Sequence, residues 1–214
     1  MTRKLREPIN GLTHLIGAVL SIAALVLLVC FAVARGTVWH VVSFSIFGAS
    51  LILLYTASTL YHWLPLSERG VRIFKRIDHI MIFILIAGTY TPICLVSLRG
   101  GWGWSMFGVV WGIAIIGIVL KLFWLQAPRW LSTLIYLLMG WLAVIAILPL
   151  IHSVPIGGLG WLAIGGIFYS VGALIYGLKR PNIIPGWFGF HEIFHLLTMA
   201  GSFSHFWLMF RYVL

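Results

Sequence analysis

The sequence predicts an all-α membrane protein: a bundle of seven transmembrane helices, N-terminus cytoplasmic and C-terminus outside, forming one domain over residues 1–214. Three observations carry that expectation. The chain is 62% hydrophobic and only 8% charged, whereas a soluble domain of this length needs a far more polar surface. Seven apolar stretches, at 12–34, 40–63, 77–98, 104–125, 130–150, 157–178 and 188–211, are each about the 20 residues a helix needs to cross the hydrocarbon. The third observation is where the positive charge falls.

A formal net charge of +10 invites a nucleic-acid partner, but its distribution argues for a membrane. With the N-terminus inside, Arg3, Lys4, Arg6, Arg69, Arg72, Lys75, Arg76, Lys121, Arg129, Lys179 and Arg180 are cytoplasmic, against Arg35, Arg99 and Arg211 outside. That bias sets orientation and contact with anionic lipid headgroups, and no nucleic acid is expected. The first apolar run follows basic residues as a signal peptide would, but it is too long and carries His14, so it reads as a retained helix. Cys30 and Cys94 both fall in apolar segments and read as buried free thiols.

Taken in order, the first helix starts near Pro8, a residue suited to a first turn. Glu7, Asn10 and His14 then share one face at spacings of three and four. The second helix ends with Ser58 and His62, again four apart, and Pro65 closes it. The third opens with Ile77-Asp78-His79, where Asp78 is either a first-turn cap or an aspartate that needs a partner inside the membrane. Pro92 is expected to kink this helix. Helices four to six are poor in ionisable groups, and Gly165, Gly166, Gly172 and Gly177 of the sixth suggest close helix packing. His40 and His152 read as solvated outer-end residues. The seventh opens with His191-Glu-Ile-Phe-His195, two imidazoles on one helix face, while His205 is about 15 Å further along.

Alternating the helices brings Glu7, Asn10, His14, Ser58, His62, Asp78, His191 and His195 to the cytoplasmic end. His62, His191 and His195 can form a three-nitrogen metal site, and three protein ligands with an open fourth position mark catalytic zinc. Asp78 is then the candidate general base for a metal-activated water, and Ser58 a donor to that water or to a developing oxyanion. Glu7, Asn10, His14 and His79 are candidates to orient the ligands.

The motifs Glu7-x-x-Asn10-x-x-x-His14, Ser58-x-x-x-His62 followed by Asp78, and His191-x-x-x-His195, with the runs Ala57–His62 and Ala87–Pro92, resemble the progestin and adipoQ receptor family, specifically its bacterial hemolysin III-like branch. The resemblance spans nearly the whole chain. It implies residence in the bacterial inner membrane and zinc on the three matching histidines near the inner leaflet, with Asp78 and Ser58 at the zinc-bound water. Adiponectin receptors are described as zinc-dependent ceramidases, so a zinc-dependent hydrolase of a lipid amide or ester is expected, with a membrane lipid as substrate. The other expectation is a non-enzymatic hemolysin III-type or receptor-like protein whose zinc is structural or regulates membrane state. The long N-terminal region of adiponectin receptors is absent, so receptor-style signalling partners are not expected.

Overall fold

The computed structural model describes residues 5–124, 128–184 and 187–214; Arg3, Lys4 and the side chain of Arg129, counted above, lie outside the described residues. Seven helices are long and apolar enough to span a membrane: α1 (Pro8–Arg35), α2 (Val38–Trp63), α3 (Glu68–Ser97), α4 (Gly101–Phe123), α5 (Trp130–Ser153), α6 (Ile156–Leu178) and α7 (Phe190–Val213). Chain neighbours pack in sequence from α1 to α4, α6 packs on α7, and α7 closes back on α1. The more loosely held α5 touches α3, α4 and α6.

Pro8 sits in the first turn of α1, as its residue type dictates. The start of α3 differs from the expected 77. Ser67 accepts a hydrogen bond from Gly70 N at 3.3 Å and caps a helix that begins at Glu68. Its first turns, with Glu68, Arg69, Arg72, Lys75 and Arg76, are too charged to carry an apolar signal. Asp78 is consequently about three turns inside the helix, and the reading of it as a first-turn cap is wrong. At the far end, α3 passes at Pro92 into a π-helical turn, Ile93–Ser97, the disturbance expected where a proline removes a ladder donor.

The fifth span is not α-helical throughout. After Gly140, α5 tightens into a 3-10 stretch, Trp141–Ala146, before resuming as α-helix. The backbone groups disturbed there are met by Tyr90 of α3, whose hydroxyl donates to Gly140 O at 2.6 Å and accepts from Ala143 N at 2.8 Å. Trp141 Nε1 donates to Ser170 Oγ of α6 at 2.9 Å.

Lipid tails are as apolar as leucine, so close packing holds such a bundle together. Phe44, Phe47 and Tyr55 of α2, Leu28 of α1, Phe83 of α3, Val110 of α4 and Leu208 of α7 are fully or almost fully buried. Gly48 lies against Leu25, and Gly165 against the His205 ring. The expected glycine seam of α6 is half right: Gly165 and Gly172 meet α7, whereas Gly166 and Gly177 have nothing close above them. Cys94 is buried, but Cys30 is exposed on the outer face of α1, so only one thiol follows the expected burial. His40 is not simply solvated: its Nδ1 accepts from Thr37 N at 3.0 Å and its Nε2 reaches Val213 O at 3.1 Å. His152 is exposed, as expected.

Candidate metal centre

The first turns of α1 organise the site. The backbone N–H of Glu7 donates to His62 O at 3.0 Å, docking the start of α1 on the end of α2. The Glu7 side chain then meets the same residue, with Oε2 2.6 Å from His62 Nδ1. Asn10 Nδ2 donates to that carboxylate at 3.2 Å, and Arg6 donates to its other oxygen at 3.2 Å. The hydrogen bond from His62 holds the Glu7 carboxyl down at about 2, against the opposing effect of partial burial.

These contacts fix a tautomer. An ionised carboxylate only accepts, so Nδ1 of His62 carries the proton and Nε2 presents its lone pair. That Nε2 is buried and has no hydrogen-bond partner among the described residues. His195, also buried, repeats the arrangement: its Nδ1 lies 3.3 Å from Asn10 O and 3.2 Å from Thr13 Oγ1. Thr13 in turn donates to Asn10 O at 2.9 Å. A carbonyl acceptor places the proton on Nδ1 here as well.

His191 is half-buried, and its ring meets those of His62 and His195 edge-on, with centroids 5.0 and 4.7 Å away. One ligand nitrogen from each of His62, His191 and His195 lies within 4.8 Å of the others. Three imidazoles, two with their outer nitrogens already committed, are a donor set that suits a borderline metal such as zinc. His14 is buried and stacks on His195 at 3.5 Å and 13°, with an edge contact to Tyr55 at 5.0 Å. It supports the ring of a ligand and falls outside the three-histidine group.

Asp78 and Ser58 line the cavity that reaches the histidines, a space of about 530 Å³. Thr59 spends its hydroxyl on Tyr55 O at 2.8 Å, while the buried Ser58 Oγ has no hydrogen-bond partner among the described residues. His79 lies on the same wall, and its carbonyl accepts from Tyr136 at 3.1 Å. All nine residues singled out from the sequence therefore gather at one end of the bundle, and His205 lies further along the same cavity, hydrogen-bonded to Leu162 O at 3.3 Å.

Sequence reasoning missed three residues. Thr13 resembles any helix threonine bonded to its own backbone. Tyr176, whose ring lies 5.7 Å from that of His191, sits in a helix that reads as pure packing. Lys121, counted as a flank of a cytoplasmic loop, is turned inward and buried.

Seven apolar spans with a polar, histidine-rich end define a multi-pass integral membrane protein of a bacterial membrane. The chain belongs to the family described as "Haemolysin-III related", whose sequence pattern matches residues 2–206. It is 44% identical to the "Hemolysin-3 homolog" of Bacillus subtilis (strain 168) over 206 residues, covering 96% of this chain and 93% of that protein. It is 42% identical to the "Hemolysin-3" of Bacillus cereus over 215 residues, covering 100% of this chain and 95% of that protein. The human "Monocyte to macrophage differentiation factor" is a more distant relative, 25% identical over 82% of this chain and 72% of its own length.

Proposed function

We propose that this protein is a zinc-dependent intramembrane hydrolase of a lipid amide or ester, with its histidine end at the cytoplasmic face. The observation that carries the reading is the position of the three imidazoles: they stand at one end of a cavity whose walls also include Leu54, Leu85, Ile86 and Phe194. Such a space suits a lipid whose acyl chain lies in the apolar part while its carbonyl reaches the polar end. The orientation is supported by the basic residues that flank this end, including Arg69, Arg72 and Arg76 before α3 enters the bundle and Lys179 and Arg180 after α6.

Zinc held there would supply Lewis-acid polarisation of the carbonyl and an acidified water. The chain does the rest. Glu7 and Asn10 O hold the Nδ1 protons of His62 and His195, which in the neutral rings leaves the lone pair on Nε2 and keeps both rings oriented. Asp78 is the cavity carboxylate with no hydrogen bond to a ligand histidine among the described residues, and in this reading it takes a proton from the attacking water. Ser58 donates its hydroxyl hydrogen to the carbonyl oxygen as negative charge gathers on it.

The test compares wild type, Asp78→Ala and Ser58→Ala, purified with zinc, on a fluorogenic long-chain acyl amide and its matching ester. Asp78→Ala is expected to keep its zinc and lose about 10²–10⁴-fold in turnover, the usual contribution of a general base. Wild-type turnover no greater than that of the two variants combined would contradict the hydrolase and leave a structural metal.

A further inference from the structure

We propose that Lys121 and Lys75 form an anion subsite at the polar end of the cavity, so that the lipid taken there carries a phosphate or carboxylate head. The subsite rests on the reading of the cavity as a lipid site but does not require that the lipid be cut. Both lysines line the cavity that reaches the histidines. Lys121, in the last turn of α4, is only 4% exposed, and its Nζ donates to Ser132 Oγ of α5. Lys75, on α3, is half-buried. Among the described residues neither lysine forms an ion pair with a carboxylate.

The plain alternative is that Lys121 is one more charge of the membrane-orienting set. Such lysines run their stems along apolar surface and hold the ammonium out at the headgroups or in water. Lys121 does the opposite. It points inward, toward a second cation, and spends one hydrogen on a neutral hydroxyl. An ammonium offers three donors and is costly to bury without a counter-ion. Two cations on one cavity wall, Lys121 buried without an ion pair among the described residues and Lys75 sharing only the electrostatic pull of Asp78 one turn away, are what an arriving anion would satisfy.

The order along α3 matches such a ligand. Its cavity-lining residues begin at the polar end with Lys75, Asp78 and His79 and continue through Ile82, Leu85 and Ile86 to Thr89 and Tyr90. Lys75 and Asp78 are three residues apart, about 4.5 Å along the helix axis. A bound lipid would thus set its anionic head on the lysines, its first carbonyl one turn deeper beside Asp78 and the histidines, and its chain along the apolar residues beyond.

The test is a set of binding titrations on the purified full-length protein in a neutral detergent, using dodecyl phosphate, laurate, dodecanol, dodecyltrimethylammonium and inorganic phosphate as probes. Wild type is expected to bind dodecyl phosphate and laurate about 10-fold or more tightly than dodecanol, and the cationic probe least, since about 1.4 kcal/mol of charge recognition is a factor of ten. Lys121→Met should abolish the preference while leaving dodecanol binding unchanged. Lys75→Gln, at the half-buried position, should reduce it and serves if Lys121→Met does not fold. Equal affinity for charged and neutral heads in wild type, or an unchanged preference in the folded variants, would overturn the subsite. Inorganic phosphate binding as tightly as dodecyl phosphate would overturn the assignment to a lipid. Anion preference in a protein without turnover would sink the hydrolase alone, whereas turnover of lipid without anion preference would sink the subsite alone.

Discussion

His62 and His195 each present one bare nitrogen because the other is committed before any ligand arrives. Glu7 therefore acts on a metal through a ring it does not share, by fixing the tautomer and orientation of His62. Glu7→Gln keeps an acceptor near Nδ1 but removes the charge, and should weaken zinc binding about 10-fold or more in a chelator competition. Acid gives a separate expectation. Glu7 is lowered from 4.5 to about 2, so its contribution to stability is fully present above pH 4.5 and is lost only as pH falls through about 2. Zinc lost between pH 7.5 and 4.5 must then come from protonation of the imidazoles, and elemental analysis after dialysis across that range should show it. Unchanged zinc after equilibration well below pH 5 would count against an all-histidine centre. At this scale the sequence was informative wherever a polar side chain repeats at three or four in an apolar segment: Glu7, Asn10, His14, Ser58 and His62 stand out for that reason. The role of Asn10 was only half visible, because His195 bonds to its backbone carbonyl, which every residue type possesses.

The elements show where reading by hydropathy stops. α3 extends back to Glu68 because Ser67 caps it, and its charged first turns look like loop when membrane crossing is the only signal sought. The interruption of α5 was hidden for a different reason. Its tightened turns depend on the Tyr90 hydroxyl from another helix, and no local feature of Trp141–Ala146 announces that partner. Adjacent glycines in α6 provide a clean test of packing. A Cβ at Gly165 would run into the His205 ring, while one at Gly166 meets nothing within 4 Å. Gly165→Ala should lower stability by about 1–3 kcal/mol through overpacking, seen as a lower Tm in detergent. Gly166→Ala should be neutral or stabilising, by up to about 1 kcal/mol from helix propensity. Equal effects of the two substitutions would mean that the α6–α7 contact is not as tight as the structure has it.

At the scale of the whole molecule, the helices pack most extensively from α1 to α3 and between α6 and α7 and least around α5, and all seven contribute to the cavity wall. The seven spans were legible because length and apolarity decide membrane crossing almost alone. The gathering of polar groups followed once strict alternation was applied to them. What alternation does not supply is the depth of Asp78 or the inward turn of Lys121, since both are set by neighbouring helices. Orientation has its own check: alkaline phosphatase fused after Leu214 should be active, as it would be outside the membrane, and an inactive fusion of a well-expressed protein would reverse the topology. The central claim is that the three histidines hold zinc. Elemental analysis of purified wild type beside His191→Ala/His195→Ala tests it most directly. About one zinc per chain in wild type, gone from a folded double variant, is the predicted result. Zinc absent from wild type, or retained by the variant, would contradict it and leave the polar cluster as a brace between α1, α2 and α7.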